Sequence, residues 1–192
     1  MQLHLMAIHI KNRWHSENAD RSLQEIAGAL AFNAWRIAVD RAINLNGERF
    51  SYKNDRQRIS VLEEYLYFQV HAVDRMVYKM LQENERRALI VQLILRLSEL
   101  IQDNSLELLG AGNYRAAFIE RMNQRSGEYA EFIFNDNEPS YPALRHLGYH
   151  IQQLMGGAEE NRWIIDQVME KDGNEVYRQI IKTLQGLIPN DS

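Results

Sequence analysis

Proline is scarce in this chain, and that scarcity is what most constrains its fold. Only three of the 192 residues are proline, at positions 139, 142 and 189, so most of the sequence contains no residue that breaks a helix. Apolar and polar residues nowhere alternate for more than a few positions, and Leu, Ala, Glu, Gln and Arg are abundant. The sequence therefore predicts an all-α protein.

Six segments with helical periodicity lie between turn-forming residues. They span about 20–45, 55–81, 84–108, 113–133, 141–155 and 159–187, with Gly173 a candidate break in the last. Short connections between the second, third and fourth segments favour antiparallel neighbours. We expect a helical bundle of about six helices, with a four-helix core in an up-and-down arrangement, forming one domain over residues 1–192.

Charge and cysteine content limit the function. The formal net charge of −4 disfavours binding to nucleic acid, which needs clustered Lys and Arg. Because the chain has no cysteine, any metal must be held by His, Asp or Glu. No apolar run approaches the ~20 residues of a membrane span, and residues 1–14 lack the apolar core of a signal peptide. We expect a cytoplasmic protein that binds neither nucleic acid nor a membrane.

The second segment carries polar groups on a face that should be buried. Its apolar residues cover most of the circumference, which is typical of a helix at the centre of a bundle. Glu64, His71 and Asp74 then point towards protein, where an unpaired polar group is unfavourable. Their partners are left open: an ion pair with one of the arginines at 36, 41 and 75, a tyrosine hydroxyl for His71, or a metal ion.

The fifth segment carries His146 and His150, four residues apart. Residues at this spacing lie on one helix face with Cβ atoms about 5–6 Å apart, so both imidazoles can reach one ion. A third ligand from a neighbouring helix is within reach, and His71 is the candidate. We predict that His71, His146 and His150 hold one divalent metal, zinc or nickel. Glu64 or Asp74 would orient a ligand ring or act as the general base.

These residues resemble a known family. A lone histidine on the second bundle helix, His71 within HAVD, followed by HLGYHIQQL with His146, His150 and Gln153, is similar to the DinB/YfiT-like superfamily of metal-dependent enzymes. The resemblance implies a four-helix bundle whose three histidines bind a divalent metal, often zinc or nickel. It also implies transferase, isomerase or hydrolase chemistry on a small-molecule substrate that the residues do not define. Ile151 and Gln152 depart from the small residue or Arg-Gly pair usual after the last histidine.

Plainer interpretations stand beside the metal site. His146 and His150 fit an exposed helix surface, and His71 fits a core histidine bonded to a tyrosine or carboxylate. The chain would then be a non-enzymatic module for protein binding or self-association, with Trp14, Phe32 and Trp35 as an apolar face for a homodimer.

Other catalytic motifs are missing from the sequence. Di-iron chemistry needs Glu-x-x-His pairs on two helices, and neither a G-x-S-x-G elbow nor a phosphate-binding glycine loop occurs. The fourth segment places Arg125 and Glu128 among aromatic residues, in a pattern that fits either a pocket opposite the second helix or ordinary packing.

Overall fold

The chain folds into a bundle of helices. The computed structural model describes residues 23–47, 50–134, 138–156 and 161–188. Seven α-helices occur there: α1 (Leu23–Gly47), α2 (Asp55–Val77), α3 (Glu83–Leu109), α4 (Tyr114–Ala130), α5 (Tyr141–Met155), α6 (Ile164–Gln167) and α7 (Gly173–Leu187). The predicted all-α bundle is confirmed. The histidines at 4, 9 and 15, and Trp14, lie outside the described residues.

Helix α2 lies at the centre of this bundle. It packs against α1, α3, α4, α5 and α7, and its buried residues occupy nearly every position from Ile59 to Val73. These contacts confirm the predicted central position of α2. A helix whose apolar residues cover most of its surface is stable only when protein surrounds it. Asn54 begins the helix by accepting a hydrogen bond from the Gln57 amide at 2.9 Å.

The end of α2 differs from the prediction. The helix stops at Val77, four residues before the predicted end, and Tyr78 is 62% exposed. The helix ends earlier because residues 78–81 form a turn whose amides bond to carbonyl groups of the last helical residues.

The last helix also differs from the prediction. Gly173 was a candidate break, but the chain stays helical through a π-helical turn at Val168–Asp172 and continues into α7. Gly173 has a helical φ of −62° there, as the C-cap of the π-helical turn. A Cβ atom at this position would lie 2.6 Å from Leu144 Cδ2. The close packing of α5 therefore favours glycine at position 173.

Helix α5 begins and ends where the sequence predicts. Ser140 Oγ accepts a hydrogen bond from the Ala143 amide, and Pro142 occupies the first turn. Gly156 ends the helix with a φ of +81°, a conformation that favours glycine. None of the helices in the described part of the chain is long and apolar enough to cross a membrane.

Candidate metal centre

Helix α5 presents two histidines on one face. The ring centroids of His146 and His150 lie 4.4 Å apart, and both side chains are less than one-fifth exposed. Gly148 lies between them on the opposite side, where a Cβ atom would come within 3.0 Å of the Ile165 carbonyl oxygen. The close packing of α6 on that side fixes α5, which turns the two histidines towards α4.

Helix α4 supplies the third donor. Glu128 Oε2 lies 3.0 Å from His146 Nε2 and 3.5 Å from His150 Nε2. One donor atom from each of these three residues lies within 4.8 Å of the others, and the described ranges hold no second group of this kind. Two ligands of a tetrahedral ion with bonds of 2.0–2.1 Å are about 3.3 Å apart. The separations of 3.0 and 3.5 Å from Glu128 Oε2 bracket that value, and the shorter one is also the length of a hydrogen bond.

The donor chemistry also fits a divalent metal. Two imidazoles and one carboxylate are a set that zinc accepts in catalytic sites and that non-haem iron accepts as well. Although burial alone would raise it, the pKa of Glu128 is held below its ordinary value by the bond from Gln124 and by the charge of Arg125. Glu128 is therefore ionised at neutral pH, as a metal ligand must be.

Arg125, one turn before Glu128 on α4, links the cluster to α2. Its Nε and Nη2 atoms donate to the Glu64 carboxylate at 2.9 Å, in a bidentate ion pair whose side chains are almost completely buried. Its Nη1 atom donates to Glu128 Oε2 at 3.0 Å, and its Nη2 atom lies 2.9 Å from His150 Nδ1. Arg125 thus contacts two of the three members of the cluster.

The charges in this network do not cancel. Glu64 and Glu128 are two carboxylates, and the Arg125 guanidinium neutralises one of them. His150 adds no positive charge at neutral pH, because burial first, and then the charge of Arg125, lower its pKa to about 4. Glu64, Arg125, Glu128 and neutral His150 together carry one negative charge, which an additional cation would offset.

Tyr129 leaves a polar group unsatisfied beside the cluster. Its ring is fully buried and lies edge-on to His146 at 4.9 Å, and its hydroxyl has no hydrogen-bond partner among the described residues. Burial, and then the nearby charge of Glu64, raise the pKa of this hydroxyl, so it stays protonated and able to donate. A buried donor without a protein partner is one that a bound water molecule or small ligand would satisfy.

His71 lies in a different set of contacts. Its ring stacks on Tyr129 at 5.3 Å and meets Phe134 edge-on at 4.8 Å, and its Nε2 atom accepts a long bond from Arg75 Nε at 3.4 Å. It is not a member of the group formed by Glu128 and the two α5 histidines. The Tyr129 ring contacts both His71 and His146. His71 is therefore linked to the α5 histidines through this ring, whereas the sequence predicted that the three histidines converge.

The two predicted catalytic carboxylates have separate roles. Asp74 pairs with Arg86 of α3 at 3.1 Å, so it joins α2 to α3 rather than to the cluster. Glu64 reaches the cluster only through Arg125. Within the described part of the chain, none of the three arginines proposed from the sequence forms an ion pair with Glu64 or Asp74; Arg41 instead pairs with Asp40 and Glu175.

From the sequence, the pattern around Arg125 and Glu128 fits either a pocket opposite α2 or ordinary packing, and it does not single out Glu128 as a candidate ligand. A signal was present, because the spacing of three puts both side chains on one face of α4. What the sequence could not provide was the rotation of that face towards α5. No family model, curated protein sequence or solved structure matches this chain. The resemblance to the DinB/YfiT-like superfamily stays a prediction.

Proposed function

We propose that this protein binds one divalent metal ion, zinc in the first instance, through Glu128, His146 and His150. The observation that carries the proposal is the convergence of three donor atoms from α4 and α5 at separations typical of ligands on one ion. Surplus negative charge and the orphaned Tyr129 hydroxyl support it.

The ligand set suggests what the bound ion would do. Three protein ligands leave a fourth position open, and zinc in such a position supplies Lewis-acid chemistry and lowers the pKa of a bound water. Tyr129 is the nearby donor to a ligand in that position. The proposal keeps the divalent metal implied by the family resemblance but replaces His71 with Glu128.

The test measures zinc binding to untagged, metal-free protein by calorimetry, with metal content after dialysis as a second readout. We expect one zinc per chain in the wild type. Glu128→Gln, His146→Gln and His150→Gln should each weaken binding at least tenfold, because each removes one of only three ligands. His71→Gln is the matched control, and its affinity should stay within about threefold of wild type.

Two results would contradict the proposal in different ways. If His71→Gln loses zinc while Glu128→Gln keeps it, the three-histidine site predicted from the sequence is the correct one. If the wild type retains no zinc, nickel or iron, the network is an ion-pair cluster that only stabilises the fold.

A second candidate function is self-association, supported by two exposed apolar side chains on α1. Phe32 and Ile43 are 60% and 61% exposed, and Ile43 lines a groove of about 950 Å³ between α1 and α7. Arg36 and Asp40 both line this groove, so it offers charges of both signs to a second copy related by a two-fold axis. We propose a second copy of this chain as the occupant.

Light scattering across a concentration series tests that candidate. The wild type should shift from monomer to dimer as its concentration rises, and the double variant Phe32→Glu/Ile43→Glu should remain monomeric. Ile133→Glu, at a 75% exposed residue next to α4, is the matched control and should dimerise like wild type. A wild type that stays monomeric at millimolar concentration rules the dimer out.

A further inference from the structure

We infer that Arg125 competes with the metal ion for Glu128 and His150, so that the guanidinium occupies the cluster when metal is absent. This inference rests on the proposed function. Both the guanidinium and a divalent ion are cations, and the contacts of Arg125 fall on the same carboxylate and the same imidazole that the ion would bind.

The contacts of Arg125 fix the tautomer of His150. Arginine has only N–H donors and keeps its proton in proteins, so the 2.9 Å contact between Nη2 and His150 Nδ1 is a donation to a ring lone pair. A neutral imidazole that accepts at Nδ1 carries its hydrogen on Nε2. That hydrogen lies on the atom which is 3.5 Å from Glu128 Oε2.

A metal bound by His150 is incompatible with this arrangement. Coordination through Nε2 needs the lone pair there, so the ring hydrogen must lie on Nδ1, where it would face the Nη2 donor of Arg125. Water takes the proton from Nε2 and supplies one to Nδ1, and the ring remains neutral. Coordination through Nδ1 would displace Nη2 directly. Either way, Arg125 must release His150.

Glu64 can bind the guanidinium after it releases His150. Arg125 Nε donates to Glu64 Oε2 at 2.9 Å, and this bond does not involve His150 or Glu128. Nη2 is shared between Glu64 and His150, so its contact with His150 can break, and Nη1 can leave Glu128, while Nε keeps the buried ion pair. Arg125 is thus a positioning residue that sets metal affinity, and Glu64 is its permanent partner.

The first experiment compares zinc affinity in wild type and in the double variant Glu64→Gln/Arg125→Met, which removes both charges of the buried pair together. We expect the double variant to bind zinc at least about tenfold more tightly, because no guanidinium competes. Arg121→Met removes a positive charge one turn earlier on α4 and should stay within about threefold of wild type. Circular dichroism and melting confirm that each variant is folded.

The outcomes separate this inference from the proposed function. Zinc binding by both proteins with equal affinity, or weaker binding by the double variant, overturns the competition and leaves the metal site standing. Binding by neither protein overturns the metal site itself.

A second measurement needs no variant. Nitrogen-15 spectra of histidine side chains in the wild type should show His150 protonated at Nε2 without metal, and protonated at Nδ1 with Nε2 on the ion after one equivalent of zinc. A direct Nδ1–zinc bond also agrees with displacement of Arg125. His150 protonated at Nδ1 before zinc is added would overturn the inference even if the double variant does not fold.

Discussion

At the scale of single residues, His71 is held as a neutral ring. It packs against Tyr129 and Phe134, and burial, followed by the charge of Arg75, lowers its pKa to about 4. The unfolded chain binds a proton at this residue near pH 6.5. The proton therefore favours the unfolded state between these two values.

This difference predicts a specific acid sensitivity. The contribution of His71 to stability is present above pH 6.5 and is lost as the pH falls towards 4, by up to about 3 kcal/mol. His71→Gln keeps a hydrogen-bond acceptor but does not titrate, so its free energy of unfolding should fall less over this range. Urea unfolding of metal-free protein at pH 7, 5.5 and 4.5 measures it; equal slopes for both proteins would contradict the assignment.

Tyr129 provides a second prediction at the same scale. Because its buried hydroxyl lacks a partner among the described residues, Tyr129→Phe should stabilise the metal-free protein by about 1 kcal/mol. Tyr65→Phe is the matched comparison, since that hydroxyl donates to Asp172 at 3.0 Å, and its loss should destabilise by about 1–3 kcal/mol. Urea unfolding distinguishes them. A destabilised Tyr129→Phe would mean that the hydroxyl has an ordered partner.

At the scale of helices, the sequence was most informative where local rules decide the structure. The predicted segment 141–155 coincides with α5, whose boundaries are set by local residues: the Ser140 cap, Pro142 in the first turn and Gly156 at the end. The π-helical turn at Val168–Asp172 could not be predicted, because it depends on the fit of this helix against α5 and α7 rather than on a local motif. Gly173 was a candidate break, and the helix continues through it.

Two glycines test the packing of these helices. Gly148→Ala places a Cβ atom 3.0 Å from the Ile165 carbonyl oxygen, so α5 and α6 must separate, and we expect a loss of about 1–2 kcal/mol. Gly28→Ala within α1 meets no atom within 4 Å and should gain about 0.5–1 kcal/mol from helix propensity. Thermal unfolding measures both. A destabilised Gly28→Ala, or an unchanged Gly148→Ala, would contradict the packing described.

At the scale of the whole molecule, the candidate site is a product of packing between distant segments. Periodicity alone identified the all-α bundle and the central position of α2, because the spacing of apolar residues within a helix indicates which of its faces are buried. The spacing of residues within α5 does not indicate which residue of another helix faces His146 and His150. Glu128, and not His71, lies next to these two histidines because side chains of α4 reach this face of α5, and the position of α4 depends on its packing against α2 and α3.

The most direct test of the central claim is anomalous diffraction from crystals of the zinc-loaded protein. We predict one zinc peak per chain, bonded at about 2.0–2.2 Å to Glu128, His146 and His150, with the Arg125 guanidinium moved away from His150. A peak bonded to His71, or no peak near α4 and α5 at saturating zinc, would contradict the account.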